Sequence, residues 1–144
     1  MKLAANEMLK YLSLALPSVM LDRVDDLVPG HSGSAVKNVS ANDASAVGSS
    51  PEGPLFGEMQ LLEAMRQLAG LVVGVDEGAD SAVPTRLLRI ESAILARAAR
   101  CGDRISLSCQ ATAQEGGNFR CECQAEVDGE TVAECVLALS REAA

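Results

Sequence analysis

Apolar residues recur at steps of three and four between Leu61 and Val73. Leu62, Met65, Ala69 and Val72 share one helical face, and Leu61, Leu68 and Leu71 widen it. A helix apolar over most of its circumference is predicted to be enclosed by the rest of the chain rather than laid on its surface. One acidic residue, Glu63, adjoins the stripe, and Gln67 follows one turn later on the same side. Desolvating a carboxylate costs roughly several kcal/mol unless something compensates, so Glu63 calls for a partner or a chemical task.

Downstream the periodicity changes to two. Residues 85–96, 105–114, 119–127 and 131–140 read as strands, with turns at Gly102-Asp103, Glu115-Gly116-Gly117-Asn118 and Asp128-Gly129. Asp-Gly between alternating runs is a strong hairpin signal. Upstream, residues 19–28 read as a strand or strand pair, Pro29-Gly30 as a turn and 34–39 as the return strand. Asn6 is expected to cap a short helix over 7–12 that ends before Pro17. Residues 40–54, rich in Ser, Asn, Asp, Gly and Ala, read as a long loop, and 76–84 as an acidic connector. Hairpin, long helix and antiparallel meander make an α+β fold, one helix wrapped by one sheet, in a single domain over 1–144.

Composition narrows the function classes. A formal charge of −8 argues against nucleic acid and against an anionic membrane surface. The apolar run 12–21 is too short to span a bilayer, and no cleavage signature precedes Asp22-Arg23, so a cytoplasmic location is expected. The charge is uneven: Arg86, Arg89, Arg97, Arg100 and Arg104 crowd one segment. They read as outward strand positions, or as a landing strip for an acidic partner. Five cysteines lie late, at 101, 109, 121, 123 and 135. Cys121-x-Cys123 puts two thiols on one strand face but lacks metal-site spacing, and the single histidine, His31, is distant on a turn. Neither a metal nor a cofactor is expected.

With these elements placed, several short words fall in a recognisable order. They are Leu21-Asp22-Arg23-Val24, the run Ala35 through Asp43, Leu61-Leu62-Glu63-Ala64-Met65 with Gln67 and Gly70, Ile90-Glu91-Ser92-Ala93, and Cys101-Gly102-Asp103. In that order and spacing the chain resembles the FabZ-type (3R)-hydroxyacyl-(acyl-carrier-protein) dehydratases. The resemblance implies a hot-dog fold, an antiparallel sheet around a central helix, paired into a double hot-dog dimer. It also implies syn elimination of water from a 3-hydroxyacyl thioester. A histidine of the loop motif G-H-F-P-G handles the proton beside the carbonyl, and a glutamate of the central helix helps expel the hydroxyl. A main-chain N–H at the helix start holds the thioester oxygen. In that family the histidine and glutamate come from different subunits.

The chain departs from the pattern at the loop, where G-H-F-P-G reads Gly48-Ser49-Ser50-Pro51-Glu52. Ser49 holds the histidine position, and a hydroxyl cannot serve as the base near neutral pH. The P-G at the helix start reads Gly57-Glu58. Carried over position by position, the resemblance makes Glu63 the catalytic residue. It puts Gly57, Glu58, Gln67 and Ser49 at the substrate. Carrier proteins are acidic, so within the arginine-rich segment Arg97, Arg100 and Arg104 are candidates for docking one. The expected function is a dehydratase-like subunit that lacks the histidine, is inactive alone, and pairs with a His-bearing homologue in fatty-acid or polyketide assembly. The alternatives are a non-catalytic scaffolding or acyl-binding subunit, and a self-paired hot-dog thioesterase in which Glu63 activates water.

Overall fold

The computed structural model describes residues 1–12, 19–40, 46–50 and 53–142. Helix α2 (Glu58–Gly74) carries the apolar stripe, and every stripe residue is buried. Each such side chain removed from water stabilises the fold by about 1.5–3 kcal/mol if large. Gly57 caps the helix start in extended conformation, and Glu58 places its carboxylate against the positive helix end. The helix stops at Val75, whose backbone turns extended while its N–H still reaches the Leu71 carbonyl at 3.0 Å.

Around α2 curves a six-stranded antiparallel sheet. Its members are β1 (Arg23–Val28), β2 (Ser32–Asn38), β5 (Thr85–Leu95), β7 (Arg104–Ala113), β8 (Asn118–Val127) and β9 (Glu130–Arg141), in the order β1-β2-β7-β8-β9-β5. Alternation sorts its faces. Ile105, Leu107 and Cys109 of β7 turn inward with Cys121, Cys123, Ala125 and Val127 of β8, while Ser106, Ser108 and Gln110 face out. Register stacks Cys109, Cys123 and Cys135 side by side on three neighbouring strands beneath Met65. At the β8–β9 turn Asp128 and Gly129 both take positive φ, 51° and 79°, the signature of the two-residue hairpin that Asp-Gly predicts.

Three expectations need correction. The first helix, α1, is Ala5–Met8 with Ala4 at its cap, so Asn6 lies inside it; Glu7 turns back to accept the Ala4 N–H at 3.2 Å and does the capping instead. The stretch read as a loop over 40–54 contains β3 (Ala46–Ser50), and β4 (Gly53–Phe56) follows as its hairpin partner. Residues 41–45 and 51–52 of that stretch lie outside the described residues. The sheet is also not single: β3, β4 and the two-residue β6 (Ala99–Arg100) form a small second sheet whose order is β3-β4-β6. It delivers the fully buried Phe56 to the foot of α2.

Candidate functional site

Glu63 sits in the second turn of α2, its side chain 34% exposed, so solvent and a ligand can both reach it. Two neighbours on the same helix hold it. Arg66 donates from Nε to Oε2 and from Nη2 to Oε1, each at 2.7 Å. Gln67 donates from Nε2 to Oε1 at 3.2 Å. The Gln67 side chain is itself buried, 1% exposed, and its Oε1 accepts the Met20 N–H at 2.8 Å. Burial works to raise the Glu63 pKa, but the hydrogen bonds from Arg66 and Gln67 and the charge of Arg66 outweigh it, and the carboxyl lies below its ordinary value.

Beside this group a cleft of about 250 Å3 opens between α2, the segment at Tyr11 and Leu12, and the chain entering β5. Arg66, Gln67 and Gly70 form one wall, and Thr85 lies opposite. Tyr11 is fixed there by its hydroxyl, which donates to the Ala79 carbonyl at 3.0 Å. A larger hollow, about 490 Å3, is lined by outward side chains such as Ser108, Gln110, Glu122 and Gln124. It lies on the sheet face turned away from α2, remote from Glu63, and size alone does not make it the site.

The remaining positions spread out from this centre. Gly57 and Glu58 stand at the helix start, five to six residues before Glu63, or about 8 Å along the axis at 1.5 Å per residue. The free N–H groups of that first turn can receive negative charge on an oxygen. Ser49 lies in β3, the outer strand of the small sheet; its hydroxyl falls outside the described side chains. His31 is exposed in the β1–β2 turn, which is tied to the other end of α2 by the Gly30 N–H on the Val72 carbonyl at 2.7 Å. Val72 stands nine positions after Glu63, about 13 Å along the helix, which sets the turn carrying His31 well away from Glu63 of the same chain.

Of the arginines, Arg86 and Arg89 on β5, Arg100 on β6 and Arg104 on β7 are exposed, as expected of outward positions. Arg97 departs from that reading. It lies between strands, half-buried, 4.0 Å from Asp103 and 3.7 Å from Glu130. Of the exposed arginines, Arg100 stands where β6 meets β4, the strand that leads into α2, while Arg104 opens β7 opposite Asn38. Arg66 is the residue sequence reading missed. An acid followed three positions later by a base on one helix is the signal that was available.

No family profile matches the chain. Curated relatives do. The 3-hydroxyacyl-(acyl-carrier-protein) dehydratase FabZ of Teredinibacter turnerae is 33% identical over 134 residues, covering 91% of each chain. That of Sinorhizobium medicae is 31% identical, over 89% of this chain and 82% of its own. The chain belongs to the FabZ family. Among solved structures, the dehydratase heterocomplex ApeI:P from Xenorhabdus doucetiae superposes with a TM-score of 0.75 at 18% identity, covering 94% of this chain and 91% of that one. A hypothetical thioesterase with coenzyme A from Streptococcus pneumoniae gives a TM-score of 0.64 at 13% identity over 82% of this chain and 86% of its own. Both likenesses establish the hot-dog fold. Among the described residues no helix is long and apolar enough to cross a membrane.

Proposed function

We propose that this chain is the histidine-less member of a dehydratase pair that acts on 3-hydroxyacyl chains carried by acyl carrier protein. It presents Glu63 from α2 to a pocket completed by the G-H-F-P-G loop of a homologous subunit. The observation that carries this reading is that the chain's single histidine, His31, sits in the β1–β2 turn, whereas Ser49 of β3 stands at the position where the family's loop motif has its histidine. Abstraction of a proton beside a thioester carbonyl needs a base that titrates near neutral pH. On this reading the imidazole arrives from the partner.

In the pocket the partner's imidazole faces the carbon next to the carbonyl and Glu63 faces the 3-hydroxyl. The N–H groups at Gly57 and Glu58 receive the thioester oxygen as charge develops on it. Ser49, in place of the imidazole, lines the second and silent half of the pair. Gln67 keeps Glu63 in place through its own bond to Met20. The arginines 97, 100 and 104 receive the acidic carrier protein. A dehydratase heterocomplex among the fold's solved structures supports the pairing. So does the edge strand β5, whose Leu88, Ile90 and Ile94 are exposed at 42%, 44% and 60%.

The test is to tag the chain in its native host and co-purify the complex. Dehydration of a 3-hydroxyacyl carrier-protein substrate by the complex is then compared with that of its Glu63→Ala form. A loss of about 10²-fold or more is expected; unchanged dehydration overturns the reading. One observation favours a second reading, a non-catalytic subunit: both oxygens of Glu63 already have donors within its own helix. On that reading Glu63→Gln leaves the activity of the complex intact.

A further inference from the structure

The hydrogen bonds on Glu63 can be counted oxygen by oxygen. An ionised carboxylate offers about four acceptor positions, two on each oxygen. Oε1 receives Nη2 of Arg66 and Nε2 of Gln67, and Oε2 receives Nε of Arg66. Oε1 is therefore full, and one position stays open, on Oε2. The guanidinium meets the carboxylate fork to fork, the strongest and most directional form of this pair. Arg66 and Gln67, the two residues that hold Glu63, both line the cleft beside α2, so the carboxylate stands next to it.

We propose that Arg66 is the positioning residue of this half-site. It holds Glu63 as an ionised acceptor with one open position, on Oε2, and Glu63 aligns the 3-hydroxyl of the substrate by accepting its hydrogen bond rather than by giving it a proton. This rests on the reading above in taking the ligand to be a 3-hydroxyacyl chain. The step balances without a proton from Glu63. The partner's imidazole takes the proton from the carbon beside the carbonyl, and that electron pair becomes the C=C bond. The C–O bond breaks, and the imidazolium returns its proton to the departing hydroxyl as water. Glu63 is a carboxylate before and after.

The surroundings supply no competing charge among the described residues. On its own helix Arg66 is the charged group acting on Glu63. From the N-terminal segment Met20 offers a main-chain N–H to Gln67, and Tyr11 is turned to Ala79. The cleft wall at 82–85 is uncharged. The strands beneath α2 present apolar side chains and the thiols of Cys109, Cys123 and Cys135, each raised in pKa and so neutral.

Two measurements test this, and they separate the arginine's part from the function. In the isolated chain labelled with carboxyl-13C glutamate, the Glu63 resonance, identified by its loss in Glu63→Gln, is expected to titrate below the ordinary range. It moves up in Arg66→Ala and stays low in Arg66→Lys. An identical titration in wild type and Arg66→Ala overturns the proposal. Alanine is the best helix former, so that variant keeps α2. In the co-purified pair, Arg66→Ala is expected to lower kcat about tenfold or more with KM within about twofold, because misplacing a reacting group costs rate rather than binding. Arg66→Lys keeps the carbon titration low but does not restore kcat, because an ammonium supplies the charge without the two-pronged hold. A kcat that is unchanged, or that rises in Arg66→Ala, overturns the proposal; a rise would mean that a protonated Glu63 had been limiting. A wild-type pair that does not dehydrate overturns the function and the hydroxyl's part here, while the carbon titration still decides the arginine's hold on Glu63.

Discussion

The buried amide of Gln67 joins two parts of the chain that are far apart in sequence. Its oxygen holds Met20, and its nitrogen holds Glu63. Gln67→Leu keeps the volume and removes both bonds, leaving the Met20 N–H without that acceptor. The expected cost is about 1–3 kcal/mol, read as a lower urea midpoint with an unchanged m-value. The Glu63–Arg66 pair carries a pH dependence whose sign is fixed. A carboxyl whose pKa is lower folded than unfolded contributes stability above its unfolded pKa, and that contribution is lost as pH falls through the folded pKa. The stability gap between wild type and Arg66→Ala should therefore be widest at neutral pH and close in acid, as paired urea melts would show. A gap that is constant with pH would mean Arg66 acts through packing of its stem instead.

Among the elements, α2 was legible because its stripe repeats at the helical period and no proline interrupts it. β3 and β4 were not, because Ala-Val-Gly-Ser-Ser and Gly-Pro-Leu-Phe give no alternation of apolar and polar residues to follow; they pair with each other and, through β4, with β6, and Phe56 is buried. The candidate site was legible to the same degree: Glu63 and Gln67 stood out beside a greasy face, whereas Arg66 shows its part only through its two bonds to Glu63. Two glycines of α2 show what sequence could not say. A Cβ at Gly74 would stand 2.6 Å from the Val83 carbonyl oxygen, backbone that cannot yield. At Gly70 it would meet only the Thr85 hydroxyl, at 3.3 Å, on a side chain that can rotate. Gly74→Ala is expected to destabilise by about 1–3 kcal/mol. Gly70→Ala should gain about 0.5 kcal/mol from helix propensity. Thermal melts of the two variants would check the contrast. Along β5, Ile90 pairs with the fully buried Leu137 yet is itself 44% exposed. An apolar residue on an unpaired edge marks the seam where a second subunit is proposed to sit. Ile90→Lys should shift the assembly toward monomer in light scattering; a wild-type chain that is already monomeric, with no partner bound, removes the seam.

At the scale of the whole molecule, a six-stranded sheet closes over the long helix α2 with a small second sheet beside it, and the sulfur chemistry reports how firmly that closure holds. Cys109, Cys121, Cys123 and Cys135 are buried between sheet and helix, while Cys101 is exposed in the β6–β7 turn. Hydrogen bonding with neighbouring thiols, and then burial, pushes Cys109 and Cys135 above the ordinary thiol range, and the same hydrogen bonding pushes Cys123 up. None of the three offers a thiolate near neutral pH. Reaching them requires α2 to lift off β7, β8 and β9 together, since the three sulfurs stand in one cross-strand row beneath Met65. A chromogenic disulfide reagent should therefore find one fast thiol in the native protein and five in denaturant. The four slow ones should react with one shared rate, at least ~10³-fold below that of Cys101, because each waits on the same global opening. That rate should rise in Gln67→Leu and Gly74→Ala in step with their loss of stability. If instead Cys135 labels ahead of the others, the β9–β5 side opens locally, and the edge proposed to receive a partner is the first part of the sheet to come loose.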